Sequence, residues 1–215
     1  MNEYIKNSIL CISSVLLLLS LFWALNIDSK NDFSWGNEHI AFVLDVSHSM
    51  NVADIWWESR LRAAKSKIYS ILQEFEWYNF SVSIFAGESL RVLPFTSDIS
   101  LVATFIDGLD SRNLIKQGSA IDLGVQDALK SFGKEKTGTI IVLSDGSDGK
   151  TLIEQDIKKF LQEKSIELIV IWVGTWEGWY IPSWDFFEPY KIYNGQRVIS
   201  RLNETWLKDL AWNLG

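Results

Sequence analysis

Three segments, far apart in the chain, carry side-chain oxygens that could surround one metal ion. The first places Asp45, Ser47 and Ser49 at every second position, so an extended backbone would turn all three to one face. The second is a loop that opens a predicted helix and carries Ser119. The third follows an apolar run and carries Asp145. Together the segments offer two carboxylates and three hydroxyls.

These donors predict a particular class of ion. Oxygen ligands suit Mg²⁺, Mn²⁺ or Ca²⁺ rather than zinc or copper, and two carboxylates roughly neutralise one divalent cation. With so few carboxylates around it, the ion would stay electrophilic and keep positions filled by water. A carboxylate from another molecule could replace one of those waters and be held strongly. The pattern therefore indicates a docking point for an acidic group.

Each segment also has an ordinary structural interpretation. Asp and Ser are common turn residues, so the first segment could be a plain strand-to-turn junction. Ser119 could be a helix N-cap, and Asp145 with the glycine after it is a common turn pair. Their expected arrival at one edge of one sheet favours the metal site over these alternatives.

The apolar pattern predicts the elements that would bring the three segments together. Residues 40–44 and 140–143 are continuous apolar runs, which are typical of strands buried on both faces. Strands alternate with amphipathic stretches, so the sequence predicts an α/β fold with a doubly wound, mostly parallel sheet and sites at the carboxyl ends of its strands. Further strands are predicted at 80–84, 90–93, 166–173 and 198–199, and helices at 61–75, 99–109, 119–132, 152–161 and after 203.

The most apolar stretch, residues 9–25, predicts an N-terminal transmembrane helix. It holds no charge and matches the shortest helix that spans a bilayer, roughly 17 residues. A cleaved signal peptide is the alternative, but the residues after the run fit a small-x-small cleavage site poorly. We therefore predict an anchor at 1–28, a linker at 29–36 and a folded domain at 37–215. The slight acidic excess from Asp28 and Asp32 favours the outer, periplasmic or extracellular, side for the domain.

Composition argues against several other classes of function. The net charge is -7 and no cluster of lysine or arginine is present, so nucleic-acid binding is not predicted. One cysteine excludes an intrachain disulfide, and two histidines give little support to a zinc site. His48 lies between the alternating donors and is predicted to face away from them as an exposed loop residue.

Aromatic residues are concentrated after the last predicted central strand. The chain has 11 tryptophans, and three of them lie in residues 176–190 with two phenylalanines and two tyrosines. This segment could be a partner-binding surface or a membrane-contacting loop, or it could fold back onto the edge of the sheet. The same alternatives apply to Trp56 and Trp57, just after the first metal segment.

These motifs resemble the metal-ion-dependent adhesion site of von Willebrand factor type A (VWA) domains. The resemblance is carried by Asp-x-Ser-x-Ser at residues 45–49, Gly-Ser at 118–119 and Leu-Ser-Asp-Gly at 143–146, and it spans about residues 37–215. Segments 85–98 and 173–182 further resemble the bacterial aerotolerance (Bat) group of membrane VWA proteins.

The resemblance implies a Rossmann-like sheet with one antiparallel edge strand. It also implies an ion of the Mg²⁺ type (or Mn²⁺ or Ca²⁺), held partly through water by Asp45, Ser47, Ser49, Ser119 and Asp145. Relatives often have threonine in place of Ser119, and either residue supplies a hydroxyl. The partner would be a protein that supplies an Asp or Glu carboxylate within a cell-envelope complex, alongside an AAA-type ATPase by family analogy. Relatives tend to carry a second transmembrane helix after the domain, whereas this sequence ends without one.

The sequence thus predicts a membrane-anchored, metal-dependent protein-binding module and not an enzyme. The alternative is a metal-assisted hydrolase or phosphotransferase that uses Asp45. No acid/base pair, Walker loop or suitably placed Lys or Arg is recognisable for that chemistry. A purely structural domain whose site never holds an ion is a third interpretation, and the five oxygen donors argue against it.

Overall fold

The computed structural model describes residues 39–133, 137–146, 155–163 and 165–208. The predicted membrane anchor at 1–28 and the linker at 29–36 lie outside these residues. Within the described ranges, no helix combines the length and the apolar character needed to cross a bilayer.

Five strands form the central sheet: β1 (His39–Asp45), β2 (Asn79–Phe85), β3 (Ser89–Thr96), β4 (Gly138–Ser144) and β5 (Ile166–Trp172). Their order across the sheet is β3-β2-β1-β4-β5. β1 is parallel to both β2 and β4, and β5 is parallel to β4, whereas β3 runs antiparallel at one edge. The predicted mostly parallel sheet with one antiparallel edge strand is confirmed.

Helices lie between these strands: α1 (Arg60–Glu74), α2 (Ile99–Gly108), α3 (Ile121–Phe132) and α4 (Gln155–Glu163). Residues 204–208 are also helical. The first two helices begin at side-chain caps, because the Ser59 and Asp98 side chains accept backbone N–H groups that the first turn leaves unpaired. The predicted alternation of strand and helix is therefore present.

Helices cover both faces of the sheet, as a doubly wound fold requires. Ile40, Phe42 and Leu44 of β1 pack in one apolar cluster with α1 and α2, whereas Ala41 and Val43 pack in another with α3 and α4. Every residue of β1 is buried. Because both faces of this strand meet a helix layer, its sequence is a continuous apolar run rather than an alternation.

Beyond the central sheet, the described chain contains four short strands: β6 (Trp179–Tyr180), β7 (Ile192–Tyr193), β8 (Gln196–Arg197) and β9 (Ile199–Ser200). β6 pairs with β9, and β7 pairs with β8, so these strands form two separate antiparallel pairs. Asn194 and Gly195 connect β7 to β8 with positive φ at both positions, as a two-residue hairpin turn favours. The strand predicted at 198–199 is therefore not part of the central sheet.

Close packing of α3 on the sheet depends on Gly124, and this makes a stability prediction. A Cβ at this position would lie 2.8 Å from Val43 Cγ1 and 3.0 Å from Phe85 Cδ1. Alanine favours helix by about 1 kcal/mol, but overpacking a core costs about 1–3 kcal/mol. We expect Gly124→Ala to lower the free energy of unfolding by about 1 kcal/mol in urea denaturation.

Gly108→Ala is the matched control, because a Cβ at Gly108 meets nothing within 4 Å. This variant should be unchanged or more stable by up to about 1 kcal/mol. Equal stability of Gly124→Ala and Gly108→Ala would contradict the close packing of α3 against β1.

Candidate functional site

Two buried carboxylates lie side by side at the carboxyl edge of the sheet. Asp45 is the last residue of β1, and Asp145 directly follows β4, whose Leu143 pairs with Leu44. Both aspartates have no exposed surface. Burial and then the negative charge of Asp145 raise the pKa of Asp45 to about 7, although hydrogen bonds from Ser144 and Ser47 act in the opposite direction. This edge of the sheet therefore favours a positive charge placed beside the two acids.

The loop after β1 folds its hydroxyls toward Asp45. The Ser47 backbone N–H donates to Asp45 Oδ1 at 2.9 Å, and the hydroxyls of Ser47 and Ser49 hydrogen-bond to each other at 2.9 Å. Both serines are buried. The extended backbone stops at Ser47, and a 3₁₀ turn (His48–Asn51) follows. Ser49 thus reaches Ser47 through a helical turn and not through strand alternation.

Ser119 reaches the same carboxylate from a distant loop. Its hydroxyl donates to Asp45 Oδ2 at 3.4 Å. The interpretation as a helix N-cap is wrong, because α3 is preceded by Ala120 and has no side-chain cap. The loop is held against the end of β2, where the Ala120 N–H donates to the Ala86 carbonyl at 2.6 Å. A Cβ at Gly87 would lie 2.4 Å from the Gln117 carbonyl oxygen, so glycine permits this close approach.

Ser144 is a site residue that the sequence reasoning did not single out. Its hydroxyl donates to Asp45 Oδ2 at 2.6 Å and accepts from the Gly146 N–H at 3.0 Å. The residue lies inside the Leu-Ser-Asp-Gly run, where only the aspartate had been assigned a role. Its position at the end of a predicted buried strand could have identified it as a site residue, because a buried hydroxyl requires a hydrogen-bond partner.

Arg60 is the second residue that the sequence reasoning missed. Its side chain is fully buried, and its Nη1 donates to Asp145 Oδ2 at 2.6 Å. Its Nη2 donates to Asp54 Oδ2 at 2.6 Å and to the Ser200 carbonyl at 3.1 Å. An arginine at the start of a helix is usually solvated. Because Asp145 lies 85 residues away in sequence, no local sequence pattern predicts this contact.

The buried ion pairs favour the charged forms of Arg60 and Asp54. Burial alone would lower the pKa of Arg60. The carboxylates of Asp54 and Asp145 have the larger combined effect and raise the pKa of the guanidinium above its ordinary value. Burial alone would raise the pKa of Asp54, yet Arg60 and Thr175 hold it below its usual value. A Cβ at Gly174 would lie 2.8 Å from Arg60 Nε, so the chain after β5 passes directly over the guanidinium.

A cleft of about 500 Å³ opens beside the serines of the site. Ser47, Ser49 and Gly118 line one side, and the segment from Val198 to Asn203 lines another. His48 also lines this cleft and contacts Lys191 Nζ through its Nδ1 atom. The prediction that His48 faces away is wrong, because the 3₁₀ turn ends the alternation on which it relied. Burial and then the charge of Lys191 lower the pKa of His48.

Several aromatic residues remain exposed instead of folding onto the sheet. Trp56 and Trp57 are 92% and 94% exposed, and Phe186 and Phe187 are 94% and 91% exposed. The two tryptophans also have positive φ, 49° and 69°, which is costly for residues other than glycine. For these four residues the alternative of packing back onto the sheet edge is wrong.

The donor set fits a hard divalent cation. In the part of the chain that the structure describes, no three His, Cys, Asp or Glu side chains come together as a metal-binding group. The oxygens that meet here belong instead to the Asp45 carboxylate and to the hydroxyls of serines, and the Asp145 carboxylate is near enough to raise the pKa of Asp45. Hydroxyl and carboxylate oxygens are ligands for Mg²⁺, Mn²⁺ and Ca²⁺ and suit soft metals poorly.

Comparison with known proteins agrees with this architecture. The family model for the von Willebrand factor type A domain matches residues 40–147. The solved structure of the conserved hypothetical protein BatB from Bacteroides thetaiotaomicron has a TM-score of 0.75 at 30% identity, covering 82% of this chain and 86% of that one. An aerotolerance-related membrane protein from Bacteroides fragilis has a TM-score of 0.71 at 28% identity, covering 81% and 87%.

A curated relative is also similar over much of the chain. It is an uncharacterized protein of Borreliella burgdorferi, 26% identical over 160 residues, which are 73% of this chain. The match spans 45% of that relative's own length.

The buried arginine leads to a second stability prediction. Replacing Arg60 with methionine would leave Asp54 and Asp145 buried without their cation, and removing one partner of a buried pair costs about 3–5 kcal/mol. We expect Arg60→Met to lower the free energy of unfolding by that amount in chemical denaturation.

Arg62→Met is the matched control, two residues away on the same helix. Arg62 is 74% exposed at its side chain and pairs with Glu58 at 3.5 Å, so its loss should change stability by about 0.5 kcal/mol or less. Equal effects of the two substitutions would contradict the buried ion-pair network.

Proposed function

The chain belongs to the von Willebrand factor type A domain family, and from that premise we propose that it is a metal-dependent protein-binding module. The observation that carries the proposal is the convergence on Asp45. Hydroxyls from two segments distant in sequence, Ser119 and Ser144, reach its carboxylate, while Ser47 and Ser49 lie beside it. These oxygens lie beside an open cleft, so an ion bound to them could also bind a partner molecule.

The proposed ion is Mg²⁺, or Mn²⁺ or Ca²⁺. Asp45, Ser47, Ser49, Ser119 and Asp145 would hold it, partly through water. When bound, such an ion attracts a carboxylate oxygen of a partner, because hard cations prefer negatively charged oxygen ligands. The partner proposed here is therefore a protein that presents an Asp or Glu side chain.

We propose binding rather than catalysis for reasons of geometry. A nucleophilic carboxylate must reach a substrate, but Asp45 is fully buried, and its oxygens accept hydrogen bonds from Ser47, Ser144 and Ser119. Arg60 could stabilise a phosphate only if it were accessible, and its guanidinium is buried against Asp54, Asp145 and Ser200. These contacts favour the binding module over a hydrolase or phosphotransferase that uses Asp45.

The cellular setting is part of the proposal. The apolar residues 9–25 support a membrane anchor, and one similar structure is described as an aerotolerance-related membrane protein. We infer a domain on the outer side of the membrane, within a cell-envelope complex. Cooperation with an AAA-type ATPase rests on family analogy alone.

Calorimetric titration of the full 215-residue chain with Mg²⁺ tests the proposal. The unaltered protein should bind one ion per chain, and Asp45→Asn should lose measurable binding because a charged ligand is replaced by a neutral one. Asp98→Asn is the control, since this carboxylate caps α2 outside the site and asparagine caps a helix equally well.

Equal heats of Mg²⁺ binding to the unaltered protein and to Asp45→Asn would refute a metal site at Asp45. Metal-dependent hydrolysis of a phosphate monoester that is lost in Asp45→Asn but kept in Asp98→Asn would instead favour the enzyme.

A further inference from the structure

Lys191 occupies an unusual position for a lysine. It lines the same cleft as Ser47 and Ser49, it is partly buried, and its ammonium group contacts the His48 ring. Among the ion pairs of the described residues, none involves Lys191. A partly buried cation beside an imidazole, with no acid to balance it, is unfavourable unless something else compensates it.

The backbone holds Lys191 firmly in this place. Its N–H donates to the Ile181 carbonyl at 2.9 Å, and its carbonyl accepts from the Val198 N–H at 2.8 Å. The His48 N–H donates to Gln117 Oε1 at 3.2 Å. The lysine and the histidine therefore come from two ordered segments, and their side chains meet at the cleft.

The charge of the cleft differs from that of the protein as a whole. The chain carries a net charge of -7, yet Lys191 and Arg201 both line this cleft. Cationic side chains around a pocket attract anionic partners and set their orientation. An acidic partner would thus meet two cationic side chains on an otherwise acidic molecule.

We propose that the cleft binds a protein segment with two carboxylates, of which one reaches the metal and the second pairs with Lys191. This inference rests on the proposed function, and it adds a specificity-determining residue that lies outside the metal-binding motif. In an extended segment, acidic residues at positions i and i+2 lie on one face about 7 Å apart. Because Lys191, Ser47 and Ser49 line the same cleft, a short segment with this spacing is a suitable probe for the two positive charges.

Binding of short peptides to the full chain in the presence of Mg²⁺ tests the proposal. The probes are end-blocked Gly-Asp-Gly-Asp-Gly and its two variants with a single Asp replaced by Asn. We expect the diacidic peptide to bind about tenfold more tightly than either monoacidic one, since a hydrogen bond between charged groups contributes on that scale. Lys191→Gln should remove this advantage.

Lys67→Gln is the matched control, because Lys67 is exposed on α1 and the substitution changes the net charge equally. It should keep the tenfold preference. Equal binding of all three peptides by the unaltered protein would overturn the inference, as would equal losses in Lys191→Gln and Lys67→Gln. Failure of Mg²⁺ itself to bind would instead refute the proposed function on which the inference rests.

A second readout follows the ring of His48 by NMR without any metal. The chain has two histidines, so the two sets of imidazole signals can be separated by substitution of His39. Excess diacidic peptide should shift the His48 signals in the metal-free protein, and Lys191→Gln should abolish that shift while Lys67→Gln preserves it. Signals that do not move, or that move equally in both variants, would contradict a carboxylate site at Lys191.

Discussion

The organisation of this edge of the domain follows from two buried carboxylates at neighbouring strand ends. Asp45 and Asp145 are both excluded from water, and their charges repel each other across two paired strands. The fold compensates them unequally. Arg60 pairs with Asp145, whereas the Asp45 carboxylate accepts hydrogen bonds from neutral serines. A divalent cation on the cleft side would complete this arrangement.

The same interactions connect the site to the chain that follows the central sheet. Arg60 donates to Ser200 as well as to Asp145, and its partner Asp54 accepts from Thr175. Ser200 lines the cleft, so the guanidinium that binds the proposed metal ligand Asp145 also binds one wall of the cleft. A buried ion-pair network of this kind is costly to break at any single member, so the cleft and the site form one structural unit. The exposed aromatic residues lie outside this network.

What could be predicted from the sequence depended on local patterns. The apolar runs predicted the parallel sheet because both faces of β1 are covered, and the spacing of Asp45, Ser47 and Ser49 identified the loop after it. Arg60 could not be predicted, because its partners lie on segments that only the folded sheet brings near. The orientation of His48 was predicted wrongly because the extended backbone ends at Ser47, two residues before the end of the assumed alternation at Ser49. The Asn194-Gly195 pair is typical of a two-residue hairpin turn, so the hairpin of β7 and β8 could have been predicted but was not.

The effect of Mg²⁺ on the unfolding temperature shows whether a cation binds at Asp45 and Asp145. In the absence of divalent ions, we expect Asp45→Asn to unfold at a higher temperature than the unaltered chain, because one of two repelling buried charges is gone. Excess Mg²⁺ should raise the unfolding temperature of the unaltered chain through preferential binding to the native state and leave the variant unchanged. Equal shifts with Mg²⁺ in both proteins would contradict a cation bound at the two aspartates.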